Sequence, residues 1–229
     1  MISFSGRLQR WFYGERATAA AALEQNTIPA LTIQRWEQIG GLMDRVPAPT
    51  KPLVGRSCAG CTLCCKVMGV PEINKERGEW CIHCERGSGC RIYASRPTAC
   101  RAFLCGWLTN PRFGPEWKPD RSRIVINVNR QGNGLEFQCD PGFPEAWRKE
   151  PYHGQIRRLA AAAVKNDGII VVRSGRKSIV VSFESEFPVG EIGEDDEVVL
   201  EYRGDRMVGA RVVKEGKRTL SNSRSTRGE

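Results

Sequence analysis

Cysteine is the residue type through which this sequence can do chemistry. The chain of 229 residues has ten cysteines, and nine of them lie between Cys58 and Cys105, both included. Two cysteines separated by two residues can direct both sulfurs at one ion without straining the backbone. Nine cysteines exceed one four-ligand site, so the segment can hold two ions, one cluster with spare thiols, or a polynuclear centre.

The remaining composition favours metal or redox chemistry over a disulfide framework. Residues 1–16 carry scattered arginines and lack the apolar run of a secretory signal. No apolar stretch is long enough to cross a membrane. We therefore expect a cytoplasmic protein without a membrane partner, in which the cysteines stay reduced and are available as ligands.

Two familiar metal-binding templates fit only part of the cysteine pattern. A zinc ribbon matches the pairs Cys61/Cys64 and Cys81/Cys84, whose separation suits that template, but it leaves five clustered cysteines unexplained. A bacterial ferredoxin run matches its first three cysteines only, because Cys65 follows at once and no Cys-Pro dipeptide occurs. The pattern therefore needs a different template.

Three segments together resemble the YkgJ-type cysteine-cluster family of zinc- or iron-chelating domains. Residues 58–65 read Cys-Ala-Gly-Cys-Thr-Leu-Cys-Cys, residues 89–93 read Gly-Cys-Arg-Ile-Tyr, and residues 96–103 read Arg-Pro-Thr-Ala-Cys-Arg-Ala-Phe. Flagellin lysine methylases resemble the same domain, which implies iron–sulfur methyl transfer. The resemblance covers less than a quarter of the chain and implies a set of metal ligands. They are Cys58, Cys61, Cys64, Cys65, Cys81, Cys90 and Cys100, with Cys105 as an eighth and Cys84 as a local addition.

Several other residues near the cluster have two interpretations. Arg96 and Arg101 either donate hydrogen bonds to the bound cofactor or are ordinary surface arginines. His83 either replaces a thiolate or is only its neighbour. The lone Cys139 is interpreted as a small buried apolar side chain.

A single helix is predicted over residues 97–107, with a proline in its first turn. Cys100 and Cys105 would then project about 140° apart on that helix. Either the helix ends near Leu104, or the two cysteines bind different metals.

The positive charge has several possible uses. The formal net charge of +9 falls to +1 if eight cysteines bind as thiolates, and +3 of the total belongs to residues 214–229. Because a thiolate centre accounts for much of the charge, we expect no nucleic-acid partner. A metal-dependent nucleic-acid or regulatory protein that uses the basic tail remains the third hypothesis.

Four segments must position these groups. Residues 1–57 are predicted as a helical extension, with helices over 16–25 and 33–42, and a proline-rich linker. Residues 58–109 form the cysteine-cluster metal-binding region, residues 110–213 an α+β body, and residues 214–229 a disordered basic tail. The fold class is thus α+β, with an irregular cysteine-rich region packed on a small body of helices and antiparallel strands.

Periodicity defines the elements of the body. Alternating apolar residues predict a strand over residues 123–129, and a glycine turn predicts a hairpin over residues 127–138. One apolar face predicts a helix over 151–167. Two further strands are predicted over 169–173 and 178–183, and a last hairpin pairs 197–203 with 207–213.

The favoured function is a protein with a cysteine-ligated iron–sulfur cluster or iron, active in redox or group transfer with an unidentified protein partner or substrate. The alternative is a zinc-chelating structural or interaction module without catalytic activity. The chain has only two histidines and no phosphate-binding loop, so any chemistry must come from the metal centre. The sequence leaves open whether the protein is an enzyme.

Overall fold

The computed structural model describes residues 51–129, 132–165, 167–193 and 196–214. The predicted N-terminal helices, most of the proline-rich linker and nearly all of the basic tail lie outside these residues. The helices are α1 (Cys64–Val67), α2 (Thr98–Ala102), α3 (Gly106–Thr109), α4 (Pro119–Ser122) and α5 (Tyr152–Val164). The strands are β1 (Cys84–Glu85), β2 (Gly89–Cys90), β3 (Ile124–Val128), β4 (Gly134–Cys139), β5 (Ile169–Ser174), β6 (Lys177–Val181), β7 (Glu186–Gly190), β8 (Glu197–Arg203) and β9 (Arg206–Val213).

A five-stranded sheet with the order β3-β4-β5-β6-β7 forms the body. β3 and β4 are the predicted hairpin, in antiparallel register with Val128 opposite Leu135. β4 and β5 are parallel, and α5 lies in the connection between them, as a parallel pair requires a long crossover. The other two pairings in this sheet are antiparallel.

One face of the sheet carries the main hydrophobic core. Ile124 and Ile126 point from β3 to this face, and Phe137 joins them from β4. Helix α5 covers the face, because its apolar stripe places Ile156 against the strands. Four large aromatic side chains are buried here: Phe113, Trp117, Phe137 and Trp147.

The opposite face of β3 supports the cysteine region. Because side chains alternate along a strand, Val125 points away from the main core. It packs instead with Leu63 and Val67 near α1 and with Cys105 and Leu108 near α3. This small apolar cluster fixes the cysteine region to the sheet.

A separate two-stranded sheet, β8–β9, packs against the β5 and β6 strands of the main sheet. Met207 of β9 and Ile192 lie in an apolar cluster with Val171 and Val180 of the main sheet. Between β8 and β9 the chain turns at Gly204, whose φ is +60°.

The α+β class and the elements of the body are confirmed, with boundaries that differ by a few residues. Two features differ from expectation. The pairing of β4 with β5 is parallel, so the body is not wholly antiparallel. Strand β7 was not predicted, because Pro188 lies within it; a proline is accommodated since β7 is at the edge of the sheet.

The prediction of one helix over 97–107 is wrong. Helix α2 ends at Ala102, Phe103 is extended, and a second helix, α3, begins after Cys105. The break lets Gly106 approach β3 so closely that a Cβ there would lie 2.9 Å from Ile126 Cγ2. Cys105 is buried as a result, whereas Cys100 is not.

No helix within the described ranges is long and apolar enough to span a membrane.

Candidate metal centre

One cavity of about 590 Å³ gathers most of the clustered cysteines. The residues of its wall come from three segments of the chain, 57–73, 81–83 and 88–103. Among the described residues that line it there is no carboxylate, and the other walls are largely apolar. The cysteines that line it are seven of the eight candidate ligands: Cys58, Cys61, Cys64, Cys65, Cys81, Cys90 and Cys100.

A tight turn positions the first two cysteines. The N–H of Cys61 donates to the carbonyl of Cys58 at 2.6 Å, and Gly60 between them has a φ of +74°, which favours glycine. A Cβ on Gly60 would lie 2.8 Å from the carbonyl oxygen of Gly87. Glycine is therefore required here both for the backbone conformation and for the contact with the neighbouring loop.

Helix α1 and the β1–β2 hairpin bring the next cysteines together. Cys64 and Cys65 begin α1, and the carbonyl of Cys65 accepts a hydrogen bond from the N–H of Cys81 at 2.9 Å. Cys81 precedes β1, and the hairpin register places Cys84 opposite Cys90. The hairpin therefore brings Cys84 and Cys90 close together.

A carboxylate outside the cavity holds the helix that carries Cys100. Glu72 accepts hydrogen bonds from the N–H groups of Thr98 and Ala99, each at 3.2 Å. These N–H groups open α2 and have no partner within the helix. Glu72 therefore orients α2, a role that no pattern in the sequence indicates.

Three cysteines lie outside the cavity lining. Cys84 has a thiol that hydrogen-bonds with Cys65, which is itself a lining residue. Cys105, the eighth candidate ligand, is buried in the apolar cluster beneath Cys61, only 7% exposed. Cys139 is buried in the main core on the other face of the sheet, as its interpretation as an apolar side chain predicts.

The two candidate arginines are placed differently. Arg96 lines the cavity, its guanidinium carbon lies 3.9 Å from the centre of the Tyr93 ring, and its Nε is buried without a hydrogen-bond partner among the described residues. Arg101 is exposed, does not line the cavity, and donates to Thr98 Oγ1 at 3.3 Å. His83 lines the cavity beside the cysteines.

The environment of the thiols favours their protonated form. Burial raises the pKa of Cys58, Cys61, Cys100 and Cys105, although the charge of Arg96 acts in the opposite direction on Cys58. The hydrogen bond with Cys64, together with burial, raises the pKa of Cys65. Burial, reinforced by Cys65, raises the pKa of Cys84 to about 11. At neutral pH these groups are thiols, and a metal must displace their protons to bind.

A lysine that sequence reasoning missed lies beside the cavity. Lys75 is only 9% exposed, and its Nζ donates to the carbonyl of Lys66 at 2.7 Å and to that of Met68. Burial lowers the pKa of Lys75, and the charges of nearby cysteines oppose that shift. In the sequence it stands in a run of charged residues that is typical of a surface loop.

The donor set fits a thiophilic metal, but the thiols are not arranged as a finished site. In the part of the chain that the structure describes, no three His, Cys, Asp or Glu side chains are grouped closely enough to hold an ion. Cysteine sulfur without carboxylate selects zinc or iron–sulfur chemistry over magnesium or calcium. Metal binding therefore requires the thiols around the cavity to turn toward a common point.

No family model, no curated protein and no solved structure matches the chain. The resemblance to YkgJ-type proteins rests on its motifs and stays a prediction.

Proposed function

We propose that this protein binds a cysteine-ligated metal centre in the cavity, an iron–sulfur cluster or iron, and uses it in redox or group transfer. The observation that supports the proposal is the gathering of seven cysteines around one cavity from stretches far apart in sequence. All ten cysteines are free thiols, so none of the seven is committed to a disulfide. The YkgJ-type motifs supply the same seven residues independently of the cavity.

The spread of the cysteines around the cavity favours a cluster over a single ion. One tetrahedral ion needs four thiolates, and the cavity offers seven. An iron–sulfur cluster fills more space than one ion and supplies one-electron redox chemistry when bound. Arg96, whose Nε faces no other partner among the described residues, is suited to donate a hydrogen bond to a ligated sulfur.

A zinc-chelating module without catalytic activity is the second candidate, and a different observation favours it. The cysteine region has helices of four or five residues, and its strands have two. Its apolar cluster has only five buried members among the described residues, and one of them, Val125, belongs to β3 of the body. A segment with so little core of its own is typical of regions whose folding depends on a bound ion.

The proposal includes a reducing compartment such as the cytoplasm, because thiolate ligands require reduced cysteines. A protein partner or substrate completes it, for which the open side of the cavity is the natural site. Its exposed rim carries Tyr93.

Serine substitutions test the proposal directly. We expect Cys61→Ser and Cys64→Ser each to reduce the metal content of protein purified without oxygen to a small fraction of the wild-type value, because serine oxygen is a poor ligand for a thiophilic metal. Elemental analysis per folded chain gives the readout. Cys139→Ser is the matched control, since Cys139 lies in the main core, and it should retain the wild-type metal content.

Full metal content in both Cys61→Ser and Cys64→Ser would overturn the proposal. The absorption spectrum separates the two candidates, because iron–sulfur charge transfer absorbs visible light and zinc thiolate does not.

A further inference from the structure

Lys75 is held in one position beside the cysteines. Its backbone pairs with Val70 in both directions, with N–H to carbonyl distances of 2.9 and 3.1 Å. Its Nζ reaches the carbonyls of Lys66 and Met68 at the end of α1, the helix that carries Cys64 and Cys65. The ammonium group is therefore fixed against the helix that presents two of the candidate ligands.

The charge of Lys75 has no carboxylate partner within the described residues. A buried ammonium ion is normally paired with an anion, since carbonyl hydrogen bonds alone do not neutralise it. Four cysteines of the cavity wall are near enough for a negative charge on them to favour the ammonium form of Lys75: Cys64, Cys65, Cys81 and Cys100. Each of them carries a negative charge when it binds a metal as a thiolate.

The neighbouring Lys66, in contrast, is paired with a carboxylate. Its Nζ lies 2.5 Å from Asp140 Oδ1, and the carboxylate is almost completely buried. The charge of Lys66 is thus already balanced, whereas no carboxylate among the described residues balances the charge of Lys75.

We propose that Lys75 is the built-in counter-charge of the cysteine centre, a positioning residue that stabilises metal-bound thiolates without itself contacting the metal. This inference rests on the proposed function and deepens it. Each bound thiol releases one proton, so four thiolates around a divalent ion leave the site with two negative charges. The fixed positive charge of Lys75 offsets part of this net negative charge.

Zinc titration of the metal-free, reduced protein tests the role of Lys75. Lys75→Met removes the charge and keeps the linear apolar stem, and Lys75→Gln removes the charge but retains an N–H donor. We expect both to lower the zinc affinity, measured by competition with a chromophoric chelator, by about 10- to 100-fold, as loss of an outer-shell partner typically does. Lys177→Met, which removes an exposed lysine of β6, should leave the affinity unchanged.

The variants distinguish charge from hydrogen bonding. Wild-type affinity in folded Lys75→Met would overturn the inference while leaving the proposed function intact. Loss of affinity in Lys75→Met with full affinity in Lys75→Gln would also overturn it, because the carbonyl hydrogen bonds and not the charge would then matter. A wild-type protein that takes up neither zinc nor iron when reduced would overturn the proposed function and the inference together.

Discussion

The cysteine region, residues 58–109, and the body, residues 110–213, use the same side chain in opposite ways. In the body, Cys139 is 1% exposed in a core of aromatic and branched side chains. In the cysteine region, seven cysteines face a cavity, and their sulfurs are the most abundant functional groups in its wall. The position of a cysteine within the fold therefore decides whether it can act as a metal ligand.

The two regions also differ in what holds them together. The body has long strands and one 13-residue helix that exclude water from a continuous core. The cysteine region has short elements joined by turns and is attached to the sheet through Val125. We infer that the body folds on its own hydrophobic core, whereas the folding of the cysteine region depends on the metal proposed above.

Metal removal should separate the two regions most strongly. We expect chelation under reducing conditions to abolish the protection of amides in residues 58–109 from hydrogen exchange, including the N–H of Cys81 bonded to Cys65. The amides of β3 to β6 should stay protected, because their hydrogen bonds depend on the body's core. Exchange followed by mass spectrometry gives the answer by region.

Equal loss of protection in both regions would mean that they form one cooperative unit. Unchanged protection in both would mean that the cysteine region does not depend on a metal.

We expect an effect of intermediate size from alanine substitution at two glycines with similar φ angles. Gly60 and Gly204 both have positive φ, so alanine at either should reduce the free energy of unfolding by about 1–2 kcal/mol. Only Gly60 also contacts a second loop, at Gly87, whereas Gly204 has open space around it. We therefore expect Gly60→Ala, and not Gly204→Ala, to weaken metal binding, because it displaces Cys58 and Cys61. Zinc affinity and denaturant unfolding measure the two effects, and equal zinc affinity in both variants would contradict this account.

The smallest effect concerns the buried thiol of the body. Burial raises the pKa of Cys139 to about 12 from its ordinary value of 9.0. Between these values the unfolded chain binds fewer protons at this position than the folded protein, so the free energy of unfolding falls as pH rises above 9. Below pH 9 the thiol is protonated in both states, and it contributes no pH dependence there.

Cys139→Ala should remove this part of the alkaline dependence. Denaturant unfolding of the metal-free protein at pH 8 and pH 10 should show a loss smaller than the wild-type loss by about 1 kcal/mol. Identical losses in the two proteins would contradict the assignment of Cys139 to the core.

Sequence patterns were sufficient for the local elements of the body. Alternation over β3 and the glycine turn after it predicted the first hairpin, and the apolar stripe of α5 predicted the helix. The parallel pairing of β4 with β5 could not be predicted in this way, because pairing between distant strands leaves no local pattern. The edge strand β7 escaped for another reason: Pro188 argues against a strand unless the edge position is known.

The residues of the candidate site also fall into those that the sequence predicted and those that it could not predict. Cysteine spacing and motifs predicted the seven cysteines that line the cavity, because the residue types that bind metals can be read directly from the sequence. Glu72 and Lys75 could not be identified, because each acts through the fold: one caps α2, and the other is buried against α1. The break between α2 and α3 likewise depends on the close contact of Gly106 with Ile126.

Metal and acid-labile sulfide analysis of protein purified without oxygen, together with its absorption spectrum, tests the central claim most directly. We expect iron with sulfide and a visible charge-transfer band. Colourless protein with one or two zinc ions per chain would replace the cluster by the structural zinc site. Protein that contains no metal, and takes up neither iron nor zinc when reduced, would contradict the claim that the cysteine cavity is a metal centre.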